Sequence, residues 1–392
     1  MEGYKYLLDI AIILISTKFL SICSRHFKLP AVVGALIAGV ILGPVCLNVI
    51  TIENNTVIES LAEIGVIVLM FQAGLETDLK ELKKSGMASF IIALCGVIVP
   101  LLLGTIVGIF FEKNILQDIF IGVILTATSV SITVETLQEM GKLKSRAGTA
   151  ILGAAIIDDI LGVILLSIIT SIGASGKADI ASILIILLKI LVFFIASIVL
   201  GILVYRFFKW SENRSAIHRR RIPVLAFSFC LLLSYASEFF GIADITGAYI
   251  AGVILCNLSE NKYILSKVEV VSYMFISPIF FASIGLKTVI SGMDFRIVIF
   301  TVVITIVAII SKVLGCGLAS KALNYTKDES LQIGVGMISR GEVALIMANK
   351  GITIGLLTEN FFAPIIIMVI ATTLITPILL NYVFKERRKV NV

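Results

Sequence analysis

The run AGTAILGAAIIDDILGVILLSIITSIGAS, residues 147–175, contains two adjacent carboxylates, Asp158 and Asp159, and no other charge. It is longer than the roughly 20 apolar residues that cross a hydrocarbon core about 30 Å thick, so it predicts a transmembrane helix. A carboxylate at the bilayer centre costs roughly 2.5–3.5 kcal/mol on insertion scales. The cost of burying two such groups together indicates a functional site.

Similar apolar runs fill most of the chain, which has 392 residues, of which 58% are hydrophobic and 15% charged. The runs are continuous and lack the alternating pattern of a membrane β-barrel, so we predict an all-α polytopic membrane protein. We place thirteen transmembrane helices, at residues 5–23, 30–47, 57–75, 86–111, 116–140, 147–172, 180–205, 222–239, 242–258, 268–286, 297–319, 330–349 and 358–384.

The positive charges are distributed unevenly between the two sides of these helices. Twenty-two lysines and arginines fall in the connections on one side and at the C-terminus, against six on the other side. By the positive-inside rule, the C-terminus is cytoplasmic and the N-terminus outside, in the plasma membrane. Because the bias alternates from loop to loop, it does not form the single basic face that nucleic-acid binding needs. We therefore expect the lipid bilayer, and no nucleic acid, as a partner.

Two polar interruptions occur seven helices apart, in the fifth and the twelfth predicted helix, and indicate an internal repeat. Residues 126–133 (TATSVSIT) interrupt the fifth predicted helix, and residues 334–343 (GVGMISRGEV) interrupt the twelfth. Matching interruptions in two halves are typical of inverted repeats that hold a midplane site between broken helices. We predict two six-helix inverted-topology repeats with two discontinuous, crossing helices. Alternatively, the hydroxyls bond to their own helix and the glycines allow close packing.

Five ionisable residues are predicted at membrane depth: Asp158, Asp159, Lys312, Arg340 and Glu342. A midplane ammonium at Lys312 needs a carboxylate partner, which the aspartates or Glu342 could provide. Adjacent helical residues point about 100° apart, so one aspartate can face the lysine while the other faces a cavity. The spacing does not decide the order; we assign Asp158 to Lys312 and Asp159 to the ion. A purely structural buried network is the alternative, although such networks stabilise poorly.

The paired carboxylates suit proton-for-cation exchange. Two close carboxylates cannot both ionise cheaply, so they titrate as a coupled unit. An incoming sodium or lithium ion can replace the proton on Asp159 and weaken the pair between Asp158 and Lys312. No resident cofactor is predicted, because the metal held by Asp159 and Asp158 is transported Na⁺, a substrate.

Charged residues near the second interruption could compensate the partial charges at the ends of the broken helix. Arg340 and Glu342 could neutralise the partial charges of the exposed half-helix termini. Direct coordination of the ion by Glu342 is the alternative. Glu135, just beyond the first interruption, is predicted to pair with Arg340.

These residues lie in segments that resemble the monovalent cation/proton antiporters, in the branch of bacterial sodium/proton antiporters. The matching segments are LPAVVGALIAGVILGP (29–44), EIGVIVLMFQAGLE (63–76), TATSVSITVETL (126–137), GAAIIDDILGVILL (153–166), ITGAYIAGVIL (245–255), PIFFASIGLK (278–287), ISKVLG (310–315) and GVGMISRGEVALIMA (334–348). They extend from the second predicted helix to the twelfth, so the resemblance covers nearly the whole chain.

The resemblance implies a homodimer that works by elevator-type alternating access. Its dimerisation scaffold would comprise residues 1–75 and 222–286, and its ion-transporting core residues 86–172 and 297–384. Residues 180–205 would form a linker helix and residues 385–392 a short cytoplasmic tail.

The resemblance also implies roles for individual residues. The second aspartate, Asp159, would carry the ion, and the first, Asp158, would pair with Lys312. The residues Thr126, Thr128 and Ser129 would lie at the ion site. Relatives with electroneutral exchange carry asparagine in place of the first aspartate, so retention of Asp158 and Lys312 implies electrogenic exchange of more protons than cations.

Three alternatives stay open within transport and outside it. A potassium/proton or mixed sodium–potassium antiporter would use the same groups, since selectivity depends on cavity geometry. A sodium-coupled solute symporter would need an organic-substrate pocket, which no segment identifies. An intramembrane aspartyl protease needs its carboxylates on different helices, unlike the consecutive Asp158 and Asp159.

Overall fold

The computed structural model describes residues 4–27, 29–50, 56–111, 114–175, 180–211, 221–287 and 294–385, and this part of the chain is helical with short connections. Its helices are α1 (Lys5–His26), α2 (Ala31–Leu42), α3 (Thr56–Glu76), α4 (Leu79–Phe111), α5 (Ile115–Thr126), α6 (Val130–Glu139), α7 (Arg146–Ser175), α8 (Ile180–Ser211), α9 (Ile222–Phe239), α10 (Asp244–Leu255), α11 (Asn261–Val271), α12 (Ser277–Leu286), α13 (Phe295–Ala322), α14 (Lys327–Gly336), α15 (Glu342–Thr353) and α16 (Phe362–Val383). A π-helical turn, Ser272–Ile276, joins α11 to α12, and a 3₁₀ turn, Glu359–Phe361, precedes α16.

Ten helical segments of the described chain are long and apolar enough to cross a membrane, which confirms the all-α membrane fold class. Two predicted spans, 30–47 and 242–258, coincide with the shorter apolar helices Ala31–Leu42 and Asp244–Leu255, and a third, 330–349, is divided between α14 and α15. A helix of 12 residues rises only about 18 Å, less than the hydrocarbon core. The count of thirteen spans and the repeat therefore stay predictions.

Both polar interruptions are breaks in the helices. Helix α5 ends at Thr126, and Ser129 is extended (φ −100°, ψ 107°) before α6 begins. Helix α14 ends at Gly336, and Gly341 is extended (φ −148°, ψ −150°) before α15 begins. Hydroxyl residues and glycine tolerate such unwinding, but the interrupted ladders leave N–H and C=O groups that need other partners.

The helices pack into two groups of neighbours. Helix α3 packs against α10 and α12, while α2 packs against α1 and α12. Helix α4 packs against α5, α7 and α13, and α13 also packs against α14 and α16. Helix α8 contacts α10 in one group and α7 in the other. The approach of α2 to α12 is very close, since a Cβ added at Gly39 would lie 2.0 Å from the carbonyl oxygen of Ala282.

The beginning of α7 is fixed by side-chain contacts with the turn before α14. Arg146 lies 3.3 Å from Glu329 and stacks over the ring of Tyr325 at 4.1 Å. Glu329 also accepts from the backbone N–H of Thr326, as part of the capping box that begins α14. The helix that bears the two aspartates is thereby attached to the second broken helix.

Candidate ion-binding site

A buried ion pair joins α7 to α13. Lys312 Nζ lies 3.0 Å from Asp158 Oδ1 and 3.2 Å from Oδ2, with the two residues 0% and 2% exposed. Helix α4 packs against both partner helices. A Cβ added at Gly96 of α4 would lie 3.6 Å from Lys312 Nζ and 2.6 Å from Cys316 Sγ. The missing side chain of Gly96 therefore leaves the space for Cys316 Sγ, one helical turn from Lys312, a role the sequence did not reveal.

Asp159 follows Asp158 directly but is partly exposed. The different exposure of the two side chains agrees with the turn of about 100° between adjacent residues of a helix. Helix α7 packs against α5, α6 and α14, the elements that flank the two breaks. The aspartate pair thus lies on the helix that packs beside both interruptions.

The two breaks are hydrogen-bonded to each other. The N–H of Ser129 donates to the carbonyl oxygen of Ser339 at 2.8 Å. Thr133 Oγ1 donates to the carbonyl oxygen of Gly336, the last residue of α14, at 2.7 Å. A Cβ added at Gly341 would lie 2.6 Å from Ser129 Cβ, so the glycine allows the close approach. The two discontinuous helices therefore meet at the segments 127–129 and 337–341.

Arg340 is fully buried inside the second break. Its guanidinium donates to the carbonyl oxygens of Met337 (3.2 Å), Ile338 (2.6 Å) and Ala308 (3.1 Å). The first two carbonyls follow the C-terminal, partly negative end of α14, where a cation is favoured. Arg340 is also attracted electrostatically to Asp158. The charge that the sequence placed at a broken helix end therefore contacts the carbonyls of that end.

The backbone of Arg340 is held by α16. Its N–H donates to Thr372 Oγ1 at 3.2 Å, and its carbonyl oxygen accepts from Thr373 Oγ1 at 2.8 Å. Sequence analysis missed these threonines, although two adjacent hydroxyl residues in the apolar run 365–380 were a visible signal.

Replacement of Arg340 by methionine is expected to destabilise the protein. The change would remove the guanidinium donor of the Met337 and Ile338 carbonyl oxygens, whereas the Ala308 carbonyl oxygen would keep Ser311 Oγ. A buried group left unsatisfied costs about 1–3 kcal/mol. We expect a lower unfolding temperature in detergent. Arg340→Lys keeps the charge but cannot reproduce the planar fork, so its effect should be intermediate. Arg221→Met, at an exposed arginine before α9, is the matched control. Equal unfolding temperatures for Arg340→Met and the control would contradict this role.

The hydroxyls predicted at the ion site have different environments. Thr126 Oγ1 donates to the carbonyl oxygen of Val123 in its own helix at 2.7 Å. Ser129 Oγ lies 3.3 Å from Ser131 Oγ. Thr128 is 4% exposed, and its Oγ1 has no hydrogen-bond partner within the described residues. Of the three, Thr128 has the hydroxyl that a ligand could engage without breaking an existing bond.

Contrary to the sequence-based prediction, the structure does not bring Glu135 to Arg340. Glu135 lines a cavity of about 520 Å³ together with Lys18, Arg25 and Glu139. Arg340 instead donates from its two terminal guanidinium nitrogens to nearby carbonyl oxygens. Glu342 is the first residue of α15, but its side chain is outside the described part of the structure. The prediction that this side chain compensates charge or coordinates the ion therefore concerns atoms outside the described part.

Two cavities approach this region from opposite ends of α2. A small cavity of about 40 Å³ extends from Glu59 and Lys287 to Ser129 and Gly341, where the two breaks meet. Lys287 follows Leu286, whose Cα is close to the end of α2, since a Cβ added at Gly43 would lie 3.2 Å from it. The larger cavity lies at the start of α2, where the N–H of Ala31 donates to Glu139 at 2.7 Å. One cavity thus reaches the residues where the two breaks meet, and Glu135 lines the other cavity.

Comparison with known proteins gives a family match over nearly the entire chain. The model of the transmembrane sodium/hydrogen exchangers matches residues 10–386. The chain is 39% identical to the Na⁺/H⁺-K⁺ antiporter GerN of Bacillus cereus, over 98% of each chain. It is 35% identical to a Na⁺/H⁺ antiporter of Enterococcus hirae, over 96% of this chain and 97% of that protein.

A solved structure shares the fold. The sodium proton antiporter MjNhaP1 from Methanocaldococcus jannaschii superposes with a TM-score of 0.71, over 97% of both chains, at 19% sequence identity. At that identity the likeness concerns the arrangement of helices and not the chemistry of the site.

Proposed function

Because this chain belongs to the sodium/hydrogen exchanger family, we propose that it exchanges sodium or lithium ions for protons at Asp159. The observation that carries the proposal is the buried Asp158–Lys312 pair directly beside Asp159 on α7. This helix packs against the elements around both breaks, where freed backbone and hydroxyl oxygens can receive a dehydrated cation.

The charges of the site support competition between a proton and a cation. Asp158 is paired with Lys312 and also attracts Arg340, so these three groups together carry one excess positive charge. An ionised Asp159 would neutralise that excess. Either a proton or a monovalent cation on Asp159 restores the same net charge, which favours binding of one at a time. Na⁺ binding that also weakens the Asp158–Lys312 pair would release a further proton.

We propose elevator-type alternating access for the exchange. The packing supports a scaffold formed by residues 1–75 and 222–286 and a moving core formed by residues 86–172 and 297–384, with α8 in contact with both. Cavities at the two ends of α2 support access from both sides. The charge asymmetry favours an outside N-terminus and a cytoplasmic C-terminus in the plasma membrane. We also propose that the protein is a homodimer whose two subunits contact each other through the scaffold.

Potassium exchange is the second candidate. The relative GerN is named a Na⁺/H⁺-K⁺ antiporter, so a mixed sodium–potassium specificity, or a potassium/proton antiporter, deserves a direct test. A sodium-coupled symporter is a remote alternative, which would require an organic substrate.

Exchange in proteoliposomes tests the proposed function. With a pH gradient across the membrane, addition of Na⁺ or Li⁺ should dissipate the gradient at much lower concentrations than K⁺. If the exchange is electrogenic, an imposed membrane potential should change the rate, because more protons than cations would move per cycle. The control is liposomes that contain Asp159→Asn protein.

The outcomes separate the candidates. A comparable response to K⁺ would favour the mixed antiporter, and a rate indifferent to the membrane potential would argue against electrogenic exchange. No response to any alkali cation, with correctly folded protein, would contradict the proposed function itself.

A further inference from the structure

We propose that Ser339, in the second break, is a ligand of the transported alkali cation. The inference rests on the proposed function and extends the site to a residue of the other broken helix. It concerns a hydroxyl that lies within the second interruption of the sequence but was given no role at the ion site there.

The first observation is a buried hydroxyl without a protein partner. Ser339 is 0% exposed, and its Oγ accepts or donates no hydrogen bond within the described part of the chain. Thr128 Oγ1 is in the same state. Buried polar atoms are nearly always hydrogen-bonded, so each exception requires an explanation such as a ligand.

The second observation is the location of these two hydroxyls. Ser339 accepts, through its carbonyl oxygen, the hydrogen bond from Ser129 that joins the two breaks, and Thr128 directly precedes Ser129. Other hydroxyls near the contact between the two breaks already donate hydrogen bonds: Thr133 to the carbonyl oxygen of Gly336, and Thr126 to that of Val123. The unpartnered oxygens therefore come one from each broken helix, at the place where the two meet.

The chemistry of the cargo accounts for uncharged oxygens here. Hard cations take oxygen ligands, and a dehydrated alkali ion needs several of them to replace its water. A proton on Asp159 does not need several oxygen ligands around it. The Ser339 hydroxyl should therefore contribute to the affinity for the cation and leave the binding of the proton nearly unchanged.

Thermal unfolding of the purified full-length protein in detergent tests this inference. Wild type, Ser339→Ala and Ser330→Ala would be compared in NaCl and in choline chloride of equal ionic strength. Ser330 is the matched control, since it is 5% exposed with an unpartnered Oγ, but lies within α14 and not in the break. Binding to the folded state raises stability in proportion to the logarithm of ligand concentration over Kd.

Ser339→Ala is expected to unfold in choline at the wild-type temperature or above it, because the change removes an unsatisfied polar atom. The Na⁺ concentration that produces a given rise in unfolding temperature should increase about tenfold, as expected for the loss of one ligand with the strength of a hydrogen bond. Ser330→Ala should keep the wild-type Na⁺ dependence. The Na⁺ concentration for half-maximal exchange in liposomes should shift in parallel for Ser339→Ala alone.

An unchanged Na⁺ dependence in Ser339→Ala would overturn the inference while wild-type exchange still supports the proposed function. Equal shifts in both variants would also overturn it, since they would report a general effect of the substitutions. If Ser339→Ala does not fold, Ser339→Cys retains the size of the side chain but replaces the hard oxygen with sulfur, and the same Na⁺ shift is expected. Wild-type protein without Na⁺ response of either kind would instead contradict the proposed function.

Discussion

Replacement of Asp159 by asparagine is expected to abolish exchange while the protein stays folded. Asparagine has nearly the same shape as aspartate but cannot release a proton, and its neutral amide attracts a cation far less. The Asp158–Lys312 pair would be untouched, so the variant should still fold. Cation-dependent proton movement in proteoliposomes, together with thermal unfolding in detergent, measures both quantities.

Asp118→Asn is the matched control for this variant. Asp118 is another buried carboxylate on a membrane helix, 4% exposed in the first turn of α5. Its substitution should leave substantial exchange, because the site is not expected there. Exchange near the wild-type rate in Asp159→Asn would show that a residue other than Asp159 carries the ion.

Replacement of Asp158 by asparagine is expected to destabilise the protein strongly. Lys312 is fully buried, and loss of its carboxylate would leave an ammonium without compensation in the membrane interior. Breaking a buried ion pair by removal of one partner costs about 3–5 kcal/mol. Any exchange that the variant retains should lose its dependence on membrane potential, since one titrating carboxylate is gone. Unfolding and potential-dependent exchange would be measured on the same preparation.

A double variant separates the charge from the packing. Asp158→Asn combined with Lys312→Met removes both charges, and replacement of a buried pair by apolar or neutral groups is often neutral or stabilising. The double variant should therefore recover most of the stability that Asp158→Asn loses. If the two single effects simply add, the coupling seen between these side chains does not contribute to stability.

The sequence alone did not decide which carboxylate pairs with Lys312. Asp158, Asp159 and Glu342 were all plausible partners, because the spacing along a helix shows that adjacent residues diverge but not which one faces another helix. The structure puts Asp158 against Lys312 because α4 packs against both α7 and α13, and Gly96 of α4 leaves room for Cys316 on the same helix as the lysine. Such a close approach depends on helices far apart in sequence.

The amino-acid sequence by itself determined the fold class and the positions of the two interruptions. Continuous apolar runs admit only helices in a membrane, and hydroxyl and glycine clusters within them lower the cost of unwinding. It also identified Asp158, Asp159, Lys312 and Arg340, since a charge at that depth is too costly to be incidental.

Only the tertiary structure decided what those charges contact. Arg340 contacts carbonyls of its own break and of α13, while Glu135 lines a separate cavity. The two breaks are joined through Ser129 and Ser339, a contact between residues more than 200 positions apart. Local sequence governs where a helix can break, but the partners of the freed groups depend on which helices pack together, and that is a property of the whole molecule.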